Sequence, residues 1–286
     1  MATTTSTSLQ HLISPLVAEA LFVASEKSIM RGLVRNFNVP ANSGKIIQVP
    51  IYPKLTAATV AEGTPLTTGT AVTTTKKDLT LGENGVMVEL TDLSEVTSET
   101  DVVRDLGSLL GTAIATKIDV DLITLFDDFT KIVGSPSETF TAAKLFEAVA
   151  ELRNLGVPST DLACVVHPYI AYDLKAGVSN TFGAGSGATT DVGNEAMRSG
   201  FIGKIAGVPV YESSNISDTS VAGDYKGAIF HRDAMGIAML QDLKIETRRV
   251  PANRSTEIVA TSVYGVSILH DTYGVELKMD STLVNP

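Results

Sequence analysis

The chain has 286 residues, 44% of them apolar and only 19% charged, and it carries a formal net charge of −10. This composition excludes a disordered chain and allows a sizeable core, in one large domain or two ordinary ones. The acidic balance argues against tight nucleic-acid binding, which relies on Lys and Arg to displace counterions from phosphates. A weakly charged surface is typical of a protein that another chain covers.

The N-terminal sequence and the cysteine content indicate a cytoplasmic protein. The first ten residues, MATTTSTSLQ, contain no Lys or Arg and lack the features of a secretory signal or a transit peptide. The most apolar stretch, Pro15 to Ala24, is interrupted by Glu19 and falls short of the roughly 18 residues that a membrane span requires. Cys164 is the only cysteine, so an internal disulfide is excluded. We therefore expect folding in the cytoplasm and no membrane partner.

The N-terminal segment is predicted to form a helix and then a strand. Ser14 to Val34 has the apolar spacing of an amphipathic helix, with Ser14 as its cap and Pro15 at the first helical position. The next segment, GKIIQVPIYP, has the alternation of a strand, but Pro50 and Pro53 lack amide donors. We expect this strand at a sheet edge or outside a regular sheet.

A threonine-rich arm follows, from Ala61 to Gly85. Threonine favours extended backbone, and the segment GVMVEL is predicted to return from the arm, which gives a long hairpin with a projecting tip. An isolated two-stranded ribbon is at best marginally stable in water, so the arm needs another surface to lie on. Its apolar residues that could anchor it are Leu66, Val72, Leu79 and Leu81.

A long helix is predicted from Thr100 to Phe129, because apolar residues recur there every three or four positions. Such a helix would span about 45 Å, whereas the mean helix has about 11 to 12 residues. Gly107 and Gly111 lie one turn apart in it. They either let another backbone approach closely or are weak points of about 1 kcal/mol each, and both alternatives stay open.

Helices and strands alternate in the following part. Thr141 is placed to cap a helix that Gly156 ends, and the segment LACVVH is a short buried strand. Pro168 to Lys175 is predicted to be a second helix, and Val178 to Arg198 a loop rich in Gly, Ser and Thr.

The C-terminal part is mainly β, which makes the fold class α+β. The segments GKIAGVPVYESSNI and KGAIFHRDAMGIAML each combine a turn with a strand, and Lys244 to Asp280 is largely extended. The last strand alternates between apolar and charged residues. The apolar set is Val275, Leu277 and Met279, and the charged set is Glu276, Lys278 and Asp280.

Two motifs that could carry chemistry have the wrong context. GAGSGA, at Gly183 to Ala188, resembles a dinucleotide-binding loop, but no apolar strand precedes it and no helix start follows it. Cys164 and His167 are three residues apart on a predicted strand, so their side chains would point to opposite faces and could not share a metal ion. We expect no cofactor and no metal site.

Two histidines have acidic neighbours in sequence, His231 near Asp233 and His270 beside Asp271. A catalytic set would also need a nucleophile and an orienting group, and the sequence supplies neither. Packing or surface roles are therefore expected, and an α+β enzyme of small molecules is a distant alternative.

Two charged clusters remain. The acidic residues of the long helix are interpreted as a solvated face, because residues two apart on a helix do not face each other. The segment RRVPANR could bind phosphate, but acidic residues of a neighbouring copy are the favoured partner, since Arg pairs well with carboxylates. The acidic set is Asp119, Asp121, Asp127 and Asp128, and the basic set is Arg248, Arg249 and Arg254.

Several motifs match one protein family in order along nearly the whole chain. VAEGTPL and KKDLTLGENGVMVELTDLSEV, followed by the long helix, resemble the extended loop and spine helix of tailed-bacteriophage major capsid proteins, the Hong Kong ninety-seven type fold. SPLVAEALFVASEKSIMRGLV resembles the N-terminal arm, and LACVVHPYIAYDL, IAGVPVYESSNI, KGAIFHRDAMGIAML and YGVELKM resemble later strands and a helix of that family.

The resemblance implies a coat protein that is not an enzyme and has no cofactor. It would self-assemble into hexamers and pentamers of an icosahedral shell around packaged double-stranded DNA, and its location would be the virion capsid. An encapsulin-type compartment shell is the alternative, distinguished by protein cargo instead of DNA. The implied parts are an N-terminal arm (1–41), an extended loop (42–90), a peripheral domain with the spine helix (91–140 and 240–265) and an axial domain (141–239 and 266–286).

The resemblance also implies partners and contact residues. The loop would lie across the adjacent subunit and bury its apolar residues there instead of in its own chain. Because the chain starts directly at the arm, without a long helical extension, either a separate scaffolding protein or cleavage ahead of this sequence is expected. A portal and decoration proteins are further partners. The implied loop contacts are Glu62, Leu66, Val72, Lys76, Lys77, Leu79 and Leu81, and the basic contacts are Arg248, Arg249 and Arg254.

Overall fold

A computed structural model describes residues 28–40, 44–53, 55, 57, 59–60, 62–63, 69, 71–92, 102–183, 204–217 and 223–283. The helices are α1 (Met30–Leu33), α2 (Val102–Thr124), α3 (Ala142–Asn154) and α4 (Pro168–Gly183), and two 3-10 helices cover Leu125–Asp128 and Asp271–Tyr273. The strands are β1 (Arg35–Asn38), β2 (Ile46–Ile51), β3 (Thr75–Thr80), β4 (Gly82–Thr91), β5 (Ile132–Thr139), β6 (Leu162–Val166), β7 (Lys204–Ile205), β8 (Val208–Glu212), β9 (Asp224–His231), β10 (Met235–Val250), β11 (Ser255–Ile268) and β12 (Gly274–Asp280).

A four-stranded sheet in the order β1-β10-β11-β4 lies under the long helix α2. The buried residues Leu106 and Leu110 of α2 pack on Ile258 and Ala260 of β11. The predicted long helix is therefore present, although its last turn is a 3-10 helix. Its two glycines, 107 and 111, are buried within the chain.

A six-stranded sheet in the order β5-β12-β9-β6-β8-β7 carries α3 and α4 on one face. The helix α3 begins directly after Thr141, as predicted, but the Thr141 side chain makes no capping hydrogen bond. It ends at Asn154, and the φ of 77° at Gly156, two residues later, lets the Val157 amide donate to the Leu152 carbonyl at 3.1 Å. The strand β6 is buried along its whole length, which confirms the prediction for LACVVH.

A third core joins the two sheets at the end of the long helix. Phe126 and Phe230 are fully buried there, with ring centroids 5.8 Å apart. Met30 and Val34 of the N-terminal segment insert into the same core. The described part of the N-terminal segment is thus packed on its own chain, while residues 1–27 of the predicted helix lie outside the described residues.

Two sequence predictions, one about strand pairing and one about the extent of a loop, are wrong. The segment GVMVEL does not return along β2. It lies in β4, which pairs antiparallel with β11, because its apolar alternate residues are needed under the long helix. The partner of β2 is β3. Residues 178–183 are helical instead of part of a loop, and the rest of the predicted loop to Arg198 lies outside the described residues.

The predicted four-part division of the chain remains a prediction. The strand β4 was placed with the extended loop but shares a sheet with β10 and β11. Likewise β5 was placed with the long helix but pairs with β12 of the six-stranded sheet. The strand pairings therefore cross the predicted boundaries at both points.

Candidate functional site

The most exposed apolar feature of the described chain is the ribbon, defined here as β2, β3 and the segment between them. The strands pair antiparallel, with Ile46 opposite Thr80 and Ile51 opposite Thr75. Five large apolar side chains in the ribbon are exposed, and the two most exposed lie on the segment after β2. They are Ile46, Tyr52 (69%), Leu55 (57%), Val60 and Val72. Because an isolated ribbon is marginally stable and exposed apolar patches mark contact sites, this surface is the candidate interface.

The base of the ribbon, where β3 meets the rest of the chain, is anchored in the protein itself. Leu79 is completely buried and Leu81 is 4% exposed, and both pack on Ala238 and Leu269. The Leu81 amide also donates to the Lys45 carbonyl at 2.8 Å. The expectation that these two leucines are buried on an adjacent subunit is wrong, because the ribbon crosses the four-stranded sheet of its own chain and both side chains point into that sheet.

The other predicted loop contacts lie on the exposed part of the ribbon. Glu62, Val72, Lys76 and Lys77 are exposed, so they are accessible to a neighbouring subunit. Leu66 lies outside the described residues. That these residues contact another subunit stays a prediction.

The predicted basic cluster is largely paired within the chain. Arg249 forms a two-pronged ion pair with Asp92, and its guanidinium holds the pKa of that carboxyl below its usual range. The Arg248 Nε lies 3.0 Å from Glu257 Oε2 across the β10–β11 pair. Arg254 is exposed in the turn after β10, with a φ of 50°. These ion pairs therefore hold β4, β10 and β11 together within the subunit. Contact of the cluster with another subunit stays a prediction.

Asp119 corrects the interpretation of a solvated acidic face. It is 1% exposed, and its carboxylate accepts hydrogen bonds from the Ser28 hydroxyl at 2.8 Å and from the Ile29 and Met30 amides at 3.1 and 3.2 Å. Burial raises the pKa of this carboxyl, and the three donors oppose that change. Asp119 thus ties the N-terminal segment to the long helix, a long-range partnership that helical periodicity does not reveal.

The other acids of the predicted face behave differently from one another. Asp121 is half-buried and binds the Lys117 ammonium at 2.6 Å and the Tyr264 hydroxyl at 2.7 Å. The solvated interpretation holds for Asp127 and Asp128, which are exposed. Within the described ranges, no group of three or more His, Cys, Asp or Glu side chains could hold a metal ion.

The cysteine and histidines have packing roles. Cys164 is completely buried, and burial raises the pKa of its thiol well above the usual range, which makes it a poor nucleophile. His167 stacks on Tyr225 at 3.9 Å between ring centroids, and His270 stacks on Tyr273 at 4.8 Å. Burial also lowers the pKa of His270.

The remaining chemical candidates give no reactive site. The His231 Nδ1 accepts a hydrogen bond from the Asp233 amide at 3.1 Å, and this bond stabilises the local turn. Asp271 accepts from the Thr130 amide at 2.9 Å and also binds its hydroxyl. Of the GAGSGA motif only Gly183 is described, as the last residue of α4. None of the described helices combines the length and apolar character that crossing a membrane requires.

Glu276 is a buried carboxylate in the charged set of the last strand. It is 2% exposed, its Oε1 has no hydrogen-bond partner within the described residues, and its Oε2 lies 3.6 Å from Lys278 Nζ. The end of the long helix covers this face of the sheet, and burial raises the pKa of Glu276. Lys226 and Asp127 also face it, as an ion pair with an N–O distance of 2.6 Å.

Replacing Glu276 by Gln should change how stability depends on pH. The pKa of the Glu276 carboxyl is higher in the folded than in the unfolded protein, so ionising this carboxyl costs folding free energy. Wild-type stability is therefore greatest below the unfolded pKa of about 4.3 and falls as pH rises from there through the folded pKa. A tenfold change in proton affinity corresponds to about 1.4 kcal/mol. We expect Glu276→Gln to gain stability relative to wild type between about pH 4 and pH 8 in urea unfolding of the unassembled subunit.

The matched control for that measurement is Glu83→Gln, at an exposed position of β4. Its stability relative to wild type should stay nearly constant over the same pH range. If the difference in unfolding free energy between Glu276→Gln and wild type did not change with pH, ionising the Glu276 carboxyl would cost no folding free energy. The prediction would then be wrong.

Comparison with known proteins agrees with the absence of a reactive site in the described chain. A family model described as phage capsid protein matches residues 74–276, which are 203 of the 286 residues. No curated protein matches the chain. The match begins in the exposed ribbon and ends in β12, so it covers the long helix and all strands of the two larger sheets except β1 and the last four residues of β12.

Solved structures with the same fold include several shells. The capsid structure of cyanophage P-SCSP1u has a TM-score of 0.68 and 21% identity, and 89% of each chain is covered. A structure of Mycobacterium phage Che8 has a TM-score of 0.65 and 24% identity, over 83% of this chain and 85% of that one. A virus-like particle from Pyrococcus furiosus has a TM-score of 0.60 and 12% identity, over 92% and 97%. At these identities the likeness shows the fold.

The extent of the family match decides between the alternatives left by the sequence. It favours a phage coat over a cellular compartment and over an enzyme. The mixed α+β fold, the exposed ribbon and the family match agree with one another. The chain belongs to the phage capsid protein family and is a structural protein of the icosahedral shell of the virion.

Proposed function

We propose that the chain forms the hexamers and pentamers of its shell by laying the exposed part of the ribbon across an adjacent subunit. The observation that carries this proposal is the group of exposed apolar side chains on the ribbon, with Tyr52 at 69% and Val72 at 48% exposure. Apolar area on an otherwise marginal ribbon gains stability only when another surface covers it. Glu62, Lys76 and Lys77 then meet polar groups of that neighbour, and Arg254, which is exposed, does so elsewhere on the subunit.

We further propose that the shell encloses double-stranded DNA without sequence-specific binding. The net charge of −10 supports this, since a coat that condenses nucleic acid needs basic surface and a coat filled by a motor does not. Scaffolding protein, portal and decoration proteins are the additional partners, and assembly takes place in the host cytoplasm. Extraction of nuclease-protected duplex DNA from purified particles supports this content, and protein cargo alone would contradict it.

A double variant tests the ribbon. Tyr52→Asp with Val72→Asp places charge on exposed positions, where substitutions change stability by about 0.5 kcal/mol or less. We expect a subunit with wild-type urea unfolding that forms no shells in sedimentation velocity and electron micrographs. The control, Tyr52→Phe with Val72→Ile, keeps the apolar area and should assemble. Shells of normal yield and size from the charged variant would overturn the proposed contact.

A further inference from the structure

The ribbon joins the body of the subunit through a very short connection. The strand β3 ends at Thr80 and β4 begins at Gly82, so Leu81 alone separates the exposed ribbon from the four-stranded sheet. At this point the ribbon passes over β11, and the backbone of Thr80 comes against Gly265. The direction of the ribbon is therefore decided where these two backbones touch.

The contact exists because Gly265 has no side chain. A Cβ at this position would lie 2.3 Å from the Thr80 carbonyl oxygen, 2.8 Å from its carbonyl carbon and 3.2 Å from the Leu81 nitrogen. All three are backbone atoms, which cannot rotate away as the end of a flexible side chain could. Carbon and oxygen atoms normally stay about 3.3 Å or more apart, so a methyl group would push the two backbones apart by about 1 Å.

The neighbouring strand provides a second small residue at the same point. Ala238 of β10 is the cross-strand partner of Gly265, and it is completely buried under the two leucines of the ribbon base. Together Gly265 and Ala238 form a saddle, a low place in the sheet surface on which the ribbon rests. Leu79 and Leu81 fix the ribbon to the saddle from either side of Thr80.

We infer that this saddle sets the direction in which the ribbon leaves the subunit, and that this direction determines the geometry of the shell. The second clause rests on the proposed contact between the ribbon and an adjacent subunit. Six residues of β3 span about 20 Å, so a small tilt at the base is magnified toward the far end. Gly265 is thus a positioning residue for assembly, although it lies away from the exposed contact surface.

Gly265→Ala tests the inference, with Gly82→Ala as its matched control. Gly82 is two residues from Thr80, but a Cβ there would meet only the Tyr264 carbonyl oxygen, at 4.0 Å. We expect Gly82→Ala to form shells of wild-type diameter in electron micrographs. Gly265→Ala should give no closed shells or shells of altered diameter. Shells of wild-type diameter and yield from Gly265→Ala would overturn the inference.

A distance measurement keeps the test valid if Gly265→Ala folds poorly. Spin labels at Lys77→Cys on the ribbon and Asp128→Cys at the end of the long helix occupy exposed positions, and Cys164 is buried. In the unassembled subunit we expect a narrow distance distribution that Gly82→Ala preserves and Gly265→Ala shifts or broadens. A broad distribution without any glycine substitution, or an unchanged one in folded Gly265→Ala, would overturn the inference.

The two proposals fail in different ways. If Tyr52→Asp with Val72→Asp still assembles normally, the ribbon contact is wrong, while the spin-label distances still test the saddle. If that variant fails to assemble and Gly265→Ala forms normal shells, the contact stands and the saddle does not control shell geometry.

Discussion

Leu79→Asp should unfold the unassembled subunit instead of merely blocking assembly. The Leu79 side chain is completely buried in its own chain on Ala238 and Leu269. A carboxylate placed there would have no polar partner, and burying an unpaired charge costs a large part of a typical stability of about 5–15 kcal/mol. The milder Leu79→Ala should lower the free energy of unfolding by about 2–5 kcal/mol, measured by urea denaturation of the dissociated subunit.

Val72→Asp is the control for this prediction, because Val72 is 48% exposed on the same ribbon. Its effect on unfolding should stay within about 0.5 kcal/mol. If Leu79→Ala left the unfolding free energy unchanged and only weakened association, Leu79 would belong to the interface and the position of the ribbon base would be wrong.

Asp119→Ala should release the N-terminal segment from the long helix. The carboxylate accepts three hydrogen bonds, from the Ser28 hydroxyl and from the Ile29 and Met30 amides. Each buried group left without a partner costs about 1–3 kcal/mol, and part of the segment can relax into water, so we expect a loss of about 2–4 kcal/mol. Hydrogen exchange of the Ile29 and Met30 amides should become faster along with the lower unfolding free energy.

Two controls separate this role from a general effect of charge. Asp119→Asn keeps one acceptor oxygen and should cost less than Asp119→Ala. Asp128→Asn changes an exposed acid near the end of the same helix and should leave both readouts nearly unchanged. Equal, small effects of all three variants would contradict the assigned anchoring role.

Both predictions concern residues whose surroundings the sequence pattern misplaced. Extended backbone was predicted for the arm, and Leu79 and Leu81 were recognised as residues that could anchor it, but the pattern did not say which surface covers them. Helical spacing likewise put Asp119 in the long helix without showing that Ser28 to Met30 would lie over it. In each case the partner is far away in the chain, between about 90 and 190 residues, and local periodicity carries no information on it.

Glu276 shows the same limit within one strand. It alternates in sequence with the apolar residues Val275 and Leu277, which are buried in the core. The opposite face of the sheet is covered as well, by the end of the long helix, so an alternating pattern does not guarantee a solvated side. Likewise GVMVEL was recognised as a strand, while its pairing with β11 depended on the helix above it.

The sequence by itself determined the α+β class, the long helix and most of the strands in the second half, and its motifs carry the resemblance to a coat protein. The class and the elements follow from period, turn residues and composition, which act over a few neighbouring positions, whereas the resemblance rests on motifs matched in order along the chain. Only the tertiary structure decided where the ribbon is anchored, which acids are buried and at which glycine the absence of a side chain lets another backbone come close. Those features depend on the surface that meets a residue in space, and that surface comes from distant parts of the chain.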